Sequence, residues 1–155
     1  MREAIGGSLL FQIVIVFLLL FAGYICLAIN YSKAFKVKNE VVDIIERDGS
    51  LEKSTIVKIN AYLSESGYFS SGTCPSNTEG SKSNWFGYST NETDVNTVSP
   101  TVNGVGNYCI KEMIVNAEDG GIGKKYYQVK LFFKFEIPVF GDLFNFSVSG
   151  DTEQL

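Results

Sequence analysis

The sequence has no histidine, only three prolines and only three cysteines among its 155 residues. Without histidine, the chain cannot form a His-dependent catalytic triad, an imidazole-bearing zinc site or a histidine proton shuttle. The net charge of −4 provides no basic excess for a phosphate backbone, so we expect no nucleic acid partner. Three cysteines cannot all pair within one chain. The length fits one small domain plus an attached segment.

The motifs of common enzyme classes are also missing. The sequence contains no G-x-S-x-G nucleophile motif, no phosphate-binding G-x-x-x-x-G-K-[ST] and no dinucleotide-binding G-x-G-x-x-G. Neighbouring acids such as Glu118 and Asp119 lie in turn-like sequence, where solvated carboxylates are the common case. We therefore predict that the protein is not an enzyme and uses no cofactor or metal.

One uncharged apolar segment dominates the N-terminal part of the chain. It runs from Ser8 to Ile29 and reads SLLFQIVIVFLLLFAGYICLAI. As a helix it would be roughly 33 Å long, which matches a hydrocarbon core of about 30 Å. The sequence predicts a transmembrane helix over 8–29, after a leader-like cytoplasmic tail over 1–7. A buried core helix and a cleaved secretory signal are the alternatives, but the apolar region of a signal is only about 7–15 residues long.

Different features of the sequence indicate opposite orientations of this segment in the membrane. Lys33, Lys36 and Lys38 follow it, and by the positive-inside rule they place the C-terminal part in the cytoplasm. A short N-terminal tail is easily left inside, however, and a disulfide between Cys74 and Cys109 would require an oxidising compartment. We favour an extracytoplasmic domain over 30–155 on a single-pass anchor in the cytoplasmic membrane.

The remaining pattern predicts an α+β domain. Apolar spacing continues beyond the membrane, so one helix is expected from about Leu9 to Arg47. A second helix is expected from about Leu51 to Ser66, with Ser50 as N-cap and Gly67 as C-terminal glycine. Its apolar face would contain Ile56, Ile59, Leu63 and either Thr55 or Tyr62.

Alternating residues in the C-terminal third predict antiparallel strands. Tyr108–Val115 is one expected strand, and residues 119–123 resemble a hairpin turn. A further strand begins at Tyr127 and ends near Pro138, and another covers 144–148 after a turn at Gly141. The expected sheet has three or four strands. Its apolar face, with Val129, Leu131, Phe133 and Phe135, should pack on the first helix near Val41, Ile44 and Ile45, while Phe132 lies on the opposite face.

A polar region separates the second helix from this sheet. Residues 70–107 are mostly Ser, Thr, Asn and Gly, which predicts a surface loop or short irregular strands. Trp85, Phe86 and Tyr88 either pin this region to the core or form an exposed contact patch. Cys74 and Cys109 bracket it, as a disulfide or as two free thiols; Cys26 lies in the apolar segment.

These features together resemble type IV pilin-like proteins, and most closely the TadE-like minor pilins, or pseudopilins, of tight-adherence (Flp) pilus systems. The shared features are a polar leader that ends in glycine, an apolar helix that continues above the membrane, a small disulfide-bearing sheet domain and the ending VKLFFKFEIPVFGDLFNFSVSGD. The resemblance covers most of the chain except 70–107. It implies cleavage by a prepilin peptidase between Gly7 and Ser8. The fifth residue after this site is usually glutamate in the family, but here it is Gln12.

Two functions are consistent with this pattern. The first is a pilin-like subunit that contacts itself or other pilin-like subunits through the N-terminal helix, in the membrane and in an extracellular filament. There, Gln12 would hydrogen-bond a neighbouring subunit, or it would simply lie near the lipid head groups. The alternative is a single-pass anchored binding or sensing domain whose contact surface is the aromatic group at Trp85, Phe86 and Tyr88.

Overall fold

The computed structural model describes residues 2–67, 69–76, 84–102, 104–115, 124–137 and 141–155; for 2–5, 135–137 and 141–144 it describes the backbone. Two helices come first, α1 (Arg2–Asp48) and α2 (Lys53–Ser66). Seven strands follow: β1 (Gly72–Thr73), β2 (Trp85–Tyr88), β3 (Thr101–Val102), β4 (Val105–Gly106), β5 (Tyr108–Val115), β6 (Lys124–Ile137) and β7 (Gly141–Asp151). The architecture is the predicted α+β arrangement, with an antiparallel sheet packed on a long N-terminal helix.

α1 is one continuous helix that is longer than the sequence predicted. It begins at Arg2 rather than near Leu9, so the leader-like residues are helical, and it ends at Asp48. Gly49 ends it in the left-handed conformation, with φ +70°, and the Gly49 N–H donates to the Ile45 carbonyl at 3.0 Å. This conformation favours glycine, which explains why the helix ends there.

α2 begins later than predicted, and Ser50 is not its N-cap. Glu52 occupies that position in an extended conformation and makes no side-chain capping hydrogen bond. Leu51 packs against the core, and its N–H donates to the Tyr127 hydroxyl at 3.4 Å. These tertiary contacts hold Leu51 out of the helix and move the start to Lys53. At the other end Gly67, with φ +69°, is the C-cap that the sequence predicted.

The main sheet has five strands, not three or four, in the order β3-β2-β5-β6-β7. All described pairings are antiparallel. β6 begins at Lys124 rather than Tyr127, and β7 already includes Gly141, which the sequence placed in a turn. The predicted turn at 119–123 and Pro138 lie outside the described residues.

The additional strands come from the polar region 70–107. β2 and β3 join the edge of the main sheet, and β1 pairs with β4 in a separate two-stranded sheet. Each has only two to four residues, too few for an alternating pattern in so polar a sequence. Of the two alternatives that the sequence offered for residues 70–107, short irregular strands therefore describe the structure better than a surface loop.

The core lies between one face of the main sheet and the two helices. Val41 and Ile45 of α1 are fully buried, as are Val129 and Leu131 of β6, and Phe133 is 1% exposed. Ile44 packs against the same cluster. The predicted packing of the β6 face on α1 is thus confirmed, except at Phe135, whose side chain is outside the described residues. From α2, Thr55 is buried and Tyr62 is half-buried beside the core.

Candidate functional site: the uncovered helix and its junction with the domain

The apolar segment of α1, Ser8–Ile29, projects from the domain without cover from the described residues. Leu10, Phe17 and Leu20 are each 65–66% exposed, and the other large apolar side chains in this stretch are also exposed. The same helix becomes buried from Ala34 onwards, where it enters the core. It is the one described helix that is long and apolar enough to span a membrane.

Gly7 and Ser8, the expected cleavage positions, lie near the start of α1 and are both exposed. No atom lies within 4 Å of where a Cβ on Gly6 or Gly7 would be, so packing does not require glycine at either position. A helical glycine costs about 1 kcal/mol relative to alanine. The pair therefore weakens the helix near its start.

Gln12 lies one helical turn beyond Ser8 and is exposed. Its neighbours Leu9, Phe11 and Ile13 are exposed and apolar. An amide in such surroundings gains most from a hydrogen-bonding partner on another helix, because lipid tails provide none. The structure thus places Gln12 where a second helix could reach it.

An aromatic cluster marks the junction between the apolar segment and the domain. Tyr31 contacts Phe35, with ring centroids 4.8 Å apart, and Phe146 of β7, at 6.2 Å. Lys38 Nζ lies 5.4 Å from the centroid of the Phe35 ring. Tyrosine and lysine side chains together are typical of the membrane–water boundary. A shallow groove along the same stretch of α1 is lined by Tyr24, Ile25, Ala28, Ile29, Ser32, Lys33 and Lys36.

Two of the three lysines that follow the apolar segment have different surroundings. Lys36 is exposed and Lys38 is half-buried. The aliphatic part of Lys38 lies against β7, because a Cβ on Gly150 would be 2.6 Å from Lys38 Cδ. Part of the basic charge after the apolar segment is therefore placed by packing of the domain itself.

Cys74 and Cys109 form a disulfide with a Cα–Cα distance of 5.7 Å. Both are buried, and the bond connects the polar region to β5. Cys26 is a free thiol in the apolar segment and accepts a hydrogen bond from Asn30 Nδ2 at 3.6 Å.

Trp85, Phe86 and Tyr88 share strand β2 but do not form one patch. Phe86 pairs with Ile110 and Tyr88 with Tyr108, so both lie on the face that packs on the helices. Tyr88 is buried, and its ring lies 5.3 Å from that of Tyr108. Trp85 alternates to the opposite face and is half-buried. Phe86 and Tyr88 thus attach the polar region to the core.

A buried polar contact that the sequence analysis missed connects α2 to the sheet. Asn60 is fully buried; its Oδ1 accepts a 2.7 Å hydrogen bond from the Tyr108 hydroxyl, and its Nδ2 donates to the Glu92 carbonyl at 2.6 Å. The sequence feature that could have revealed this contact is Asn60 itself, a polar residue on the apolar face of α2. Burial raises the pKa of Tyr108 well above its usual value and that of Tyr88 to about 12.

No group of three or more metal-ligating side chains occurs within the described ranges. Comparisons with protein-family models, with curated proteins and with solved structures give no match to this chain. The most informative feature for function is thus the uncovered apolar helix, which continues directly into a small disulfide-bonded domain.

Proposed function

We propose that the protein is a membrane-anchored, pilin-like subunit of the TadE-like kind, which takes part in assembly of a bacterial pilus or a related secretion filament. The observation that carries the proposal is the division of α1. Its first part is apolar and uncovered on all sides, and its second part belongs to the core of the domain. One helix therefore connects a lipid-soluble segment directly to the folded domain.

This division suits both states that a pilin-like subunit must occupy. In the membrane, the apolar segment is covered by lipid over its length of roughly 33 Å. Once removed from lipid, the same surface must be covered by other apolar helices, because exposing large side chains to water costs about 25 cal/mol per Å². The core of a filament made of such helices provides that cover, and Gln12 then finds hydrogen-bonding partners among its neighbours.

The orientation in this proposal places the domain outside the cytoplasm. The buried disulfide between Cys74 and Cys109 supports it, because such bonds persist in oxidising compartments. The packing of Lys38 on β7 supports it as well, because the aliphatic part of that side chain contacts the domain itself. The leader then remains on the cytoplasmic side, where we place the prepilin peptidase.

Processing of the leader tests the proposal. Gly7→Val should block cleavage after residue 7 and leave a product about seven residues heavier, because the resemblance implies that the peptidase requires glycine at this position. Gly6→Val is the matched control: it makes the same change one residue earlier, where a Cβ is equally free of contacts. We expect normal processing of the control. Equal processing of both variants would contradict the proposal and favour a plain single-pass anchor that carries a binding or sensing domain.

A further inference from the structure

α1 and β7 run in the same direction, and two contacts fix their alignment. Lys38 of α1 lies against Gly150 of β7. Further from the apolar segment, Glu46 Oε1 accepts a 2.7 Å hydrogen bond from the N–H of Glu153, which follows β7. The sheet therefore stands alongside the domain part of α1, and its two faces point sideways relative to the helix axis.

One face of the main sheet packs on the helices, and the opposite face, which we call the outer face, is basic. Lys111 and Lys130 are half-buried there, and neither forms an ion pair with another described residue. β1 covers the neighbouring part of this face, where Gly72 lies against the Phe132 ring. Among the strand positions of the outer face whose side chains the structure describes, four are lysines and one is acidic: Lys111, Lys124, Lys130, Lys134 and Asp151.

The other side of the domain, formed by the outward surfaces of α1 and α2, carries acidic side chains where the two helices meet. Glu40 of α1 and Glu65 of α2 are both exposed, and neither forms an ion pair with another described residue. Burial raises the pKa of Tyr62, and the nearby Glu40 carboxylate raises it further, which places Glu40 beside α2. Glu65 follows Tyr62 by one helical turn. The adjacent Asp43 is neutralised by Arg47, so the two glutamates provide the uncompensated charge.

The basic and acidic surfaces lie at the same height along α1. Lys111 pairs with Gln128, which pairs in turn with Asp151, so these three residues form one row across the sheet. Asp151 lies between the two contacts that align β7 with α1, at the level of α1 residues 39–45. Glu40 belongs to that stretch. Two copies that stand side by side on parallel anchors therefore bring the lysines of one opposite the carboxylates of the other.

We propose that the outer face of the sheet binds the acidic side of α1 and α2 of a second copy of this chain. The inference rests on the proposed function and names the contact between the folded domains. The two surfaces differ and lie on opposite sides of the domain, so each copy binds one neighbour through its sheet and another through its helices. Such a heterologous contact extends into a row or a helix of subunits unless its rotation closes a ring. The opposite charges select and orient the neighbour.

Photocrosslinking in the full chain tests the contact. Gln128, which lies on the outer face beside Lys111 and Lys130, is replaced by p-benzoylphenylalanine, which joins adjacent C–H bonds on illumination and needs no charge. The protein is reconstituted in phosphatidylcholine vesicles, with half of the copies carrying heavy isotopes, so that mass spectrometry identifies links between copies. We expect links from position 128 to the peptides around Glu40 and Glu65. Their yield should fall as salt is added, because the screening length shortens from about 10 Å at 0.1 M to about 3 Å at 1 M.

Charge reversal on each surface provides a rescue experiment. Lys111→Glu with Lys130→Glu makes the sheet variant, and Glu40→Lys with Glu65→Lys makes the helix variant. In either variant alone, like charges face each other, and the yield of links should fall about tenfold. An equal mixture should recover the yield, because each surface of one variant then meets the opposite charge on the other. Recovery also shows that both variants are folded.

Lys53→Glu with Lys124→Glu is the matched control. Both lysines are exposed, but Lys53 is at the opposite end of α2 from Glu65, and Lys124 begins β6 at the far end of the outer face, so the yield should not change. Links from position 128 only to other parts of a second copy, or two folded variants whose mixture shows no recovery, would overturn the contact. If a variant fails to fold, the links formed without charge reversal decide the question.

Absence of links between copies would also overturn the contact. Binding of polyglutamate to the unsubstituted chain but not to the sheet variant would then show that an acidic partner of another kind occupies the outer face. Leader processing separates this inference from the proposed function. If Gly7→Val blocks cleavage, Gly6→Val does not, and no links form, the pilin-like function stands without this contact. If both variants are processed equally but the links and their rescue are found, the contact joins copies of a plain membrane anchor.

Discussion

The Tyr108 hydroxyl donates a hydrogen bond to Asn60 Oδ1 at 2.7 Å in the centre of the core, where both side chains are fully buried. This contact joins α2 to the middle of the sheet, and Asn60 extends it to the Glu92 carbonyl in the polar region. Three parts of the chain that are distant in sequence therefore depend on one amide.

Tyr108→Phe should destabilise the domain by about 1–3 kcal/mol, because the buried Asn60 Oδ1 then has no donor to replace the hydroxyl. Urea unfolding of the full chain in detergent micelles measures this change. Tyr126→Phe is the control, since Tyr126 is half-buried on the opposite face of the sheet beside Met113. Equal stability of Tyr108→Phe and the unsubstituted protein would contradict the contact.

Neighbouring residues of β6 provide a test of the sheet's register. Phe133 is 1% exposed and its ring lies 5.6 Å from both Phe69 and Phe146, so Phe133→Ala should cost about 3–5 kcal/mol. Phe132 is half-buried on the other face, where Gly72 lies against its ring. We expect a smaller loss for Phe132→Ala in the same unfolding assay. A larger loss for Phe132→Ala would mean that the faces of β6 have been assigned the wrong way round.

The connection between the helices should make stability depend on acid. Lys58 Nζ donates to Asp48 at 2.7 Å and 2.8 Å, and Thr55 Oγ1 donates at 2.9 Å; these bonds hold the pKa of Asp48 below its usual value, with Lys58 the larger cause. A carboxylate with a lowered folded pKa stabilises the fold above the unfolded pKa of about 3.9 and loses that effect as pH falls below it. The urea concentration at the unfolding midpoint should therefore decrease as the pH is lowered below about 4, and it should decrease less steeply in Asp48→Asn. An unchanged slope in that variant would contradict the assignment.

The disulfide can be tested together with the orientation of the domain. Under non-reducing conditions, a membrane-impermeant thiol reagent should label neither Cys74 nor Cys109 in intact cells, and after reduction and unfolding it should label both. Loss of the bond in Cys74→Ser should cost about 3–4 kcal/mol on the chain-entropy model for a loop of this size. Cys26, in the apolar segment, is the internal control and should react only with a membrane-permeant reagent. Ready labelling of Cys74 and Cys109 by the impermeant reagent before reduction would overturn the bond, whereas labelling of both by the permeant reagent alone would overturn it and favour a cytoplasmic domain.

Gln12 should contribute to association between subunits in the membrane. Gln12→Leu should weaken self-association of the full chain in vesicles by about 0.6–2 kcal/mol, the usual range for a polar contact between membrane helices. Energy transfer between labelled copies measures this association. Leu10→Ile is the control, since it changes shape without removing a polar group. Unchanged association in Gln12→Leu would place the amide at the head groups.

The parts of the fold that could be predicted from the sequence are those whose pattern persists over many residues. α1, α2, β5, β6 and β7 each repeat a helical or alternating pattern, and so does the apolar face of β6 that meets Val41 and Ile45. Gly67 could be recognised because a left-handed residue that ends a helix favours glycine.

The remaining features depend on contacts between distant residues. Strand β2 has four residues in a polar sequence and forms because Phe86 and Tyr88 pair with Ile110 and Tyr108 of β5. The start of α2 at Lys53 depends on the packing of Leu51 beside Tyr127. Local patterns carry no information about such partners. In the candidate site, the uncovered helix follows from its sequence, whereas the alignment of β7 with α1 required coordinates.

The mass of the mature protein, purified from the membranes of its own host cell, tests the central claim most directly. The proposed pilin-like function predicts a chain that begins at Ser8, because a prepilin peptidase removes the leader after Gly7. Tandem mass spectrometry of the N-terminal peptide identifies this residue. A mature chain that still begins at Met1 would contradict the pilin-like function and leave a single-pass anchored domain.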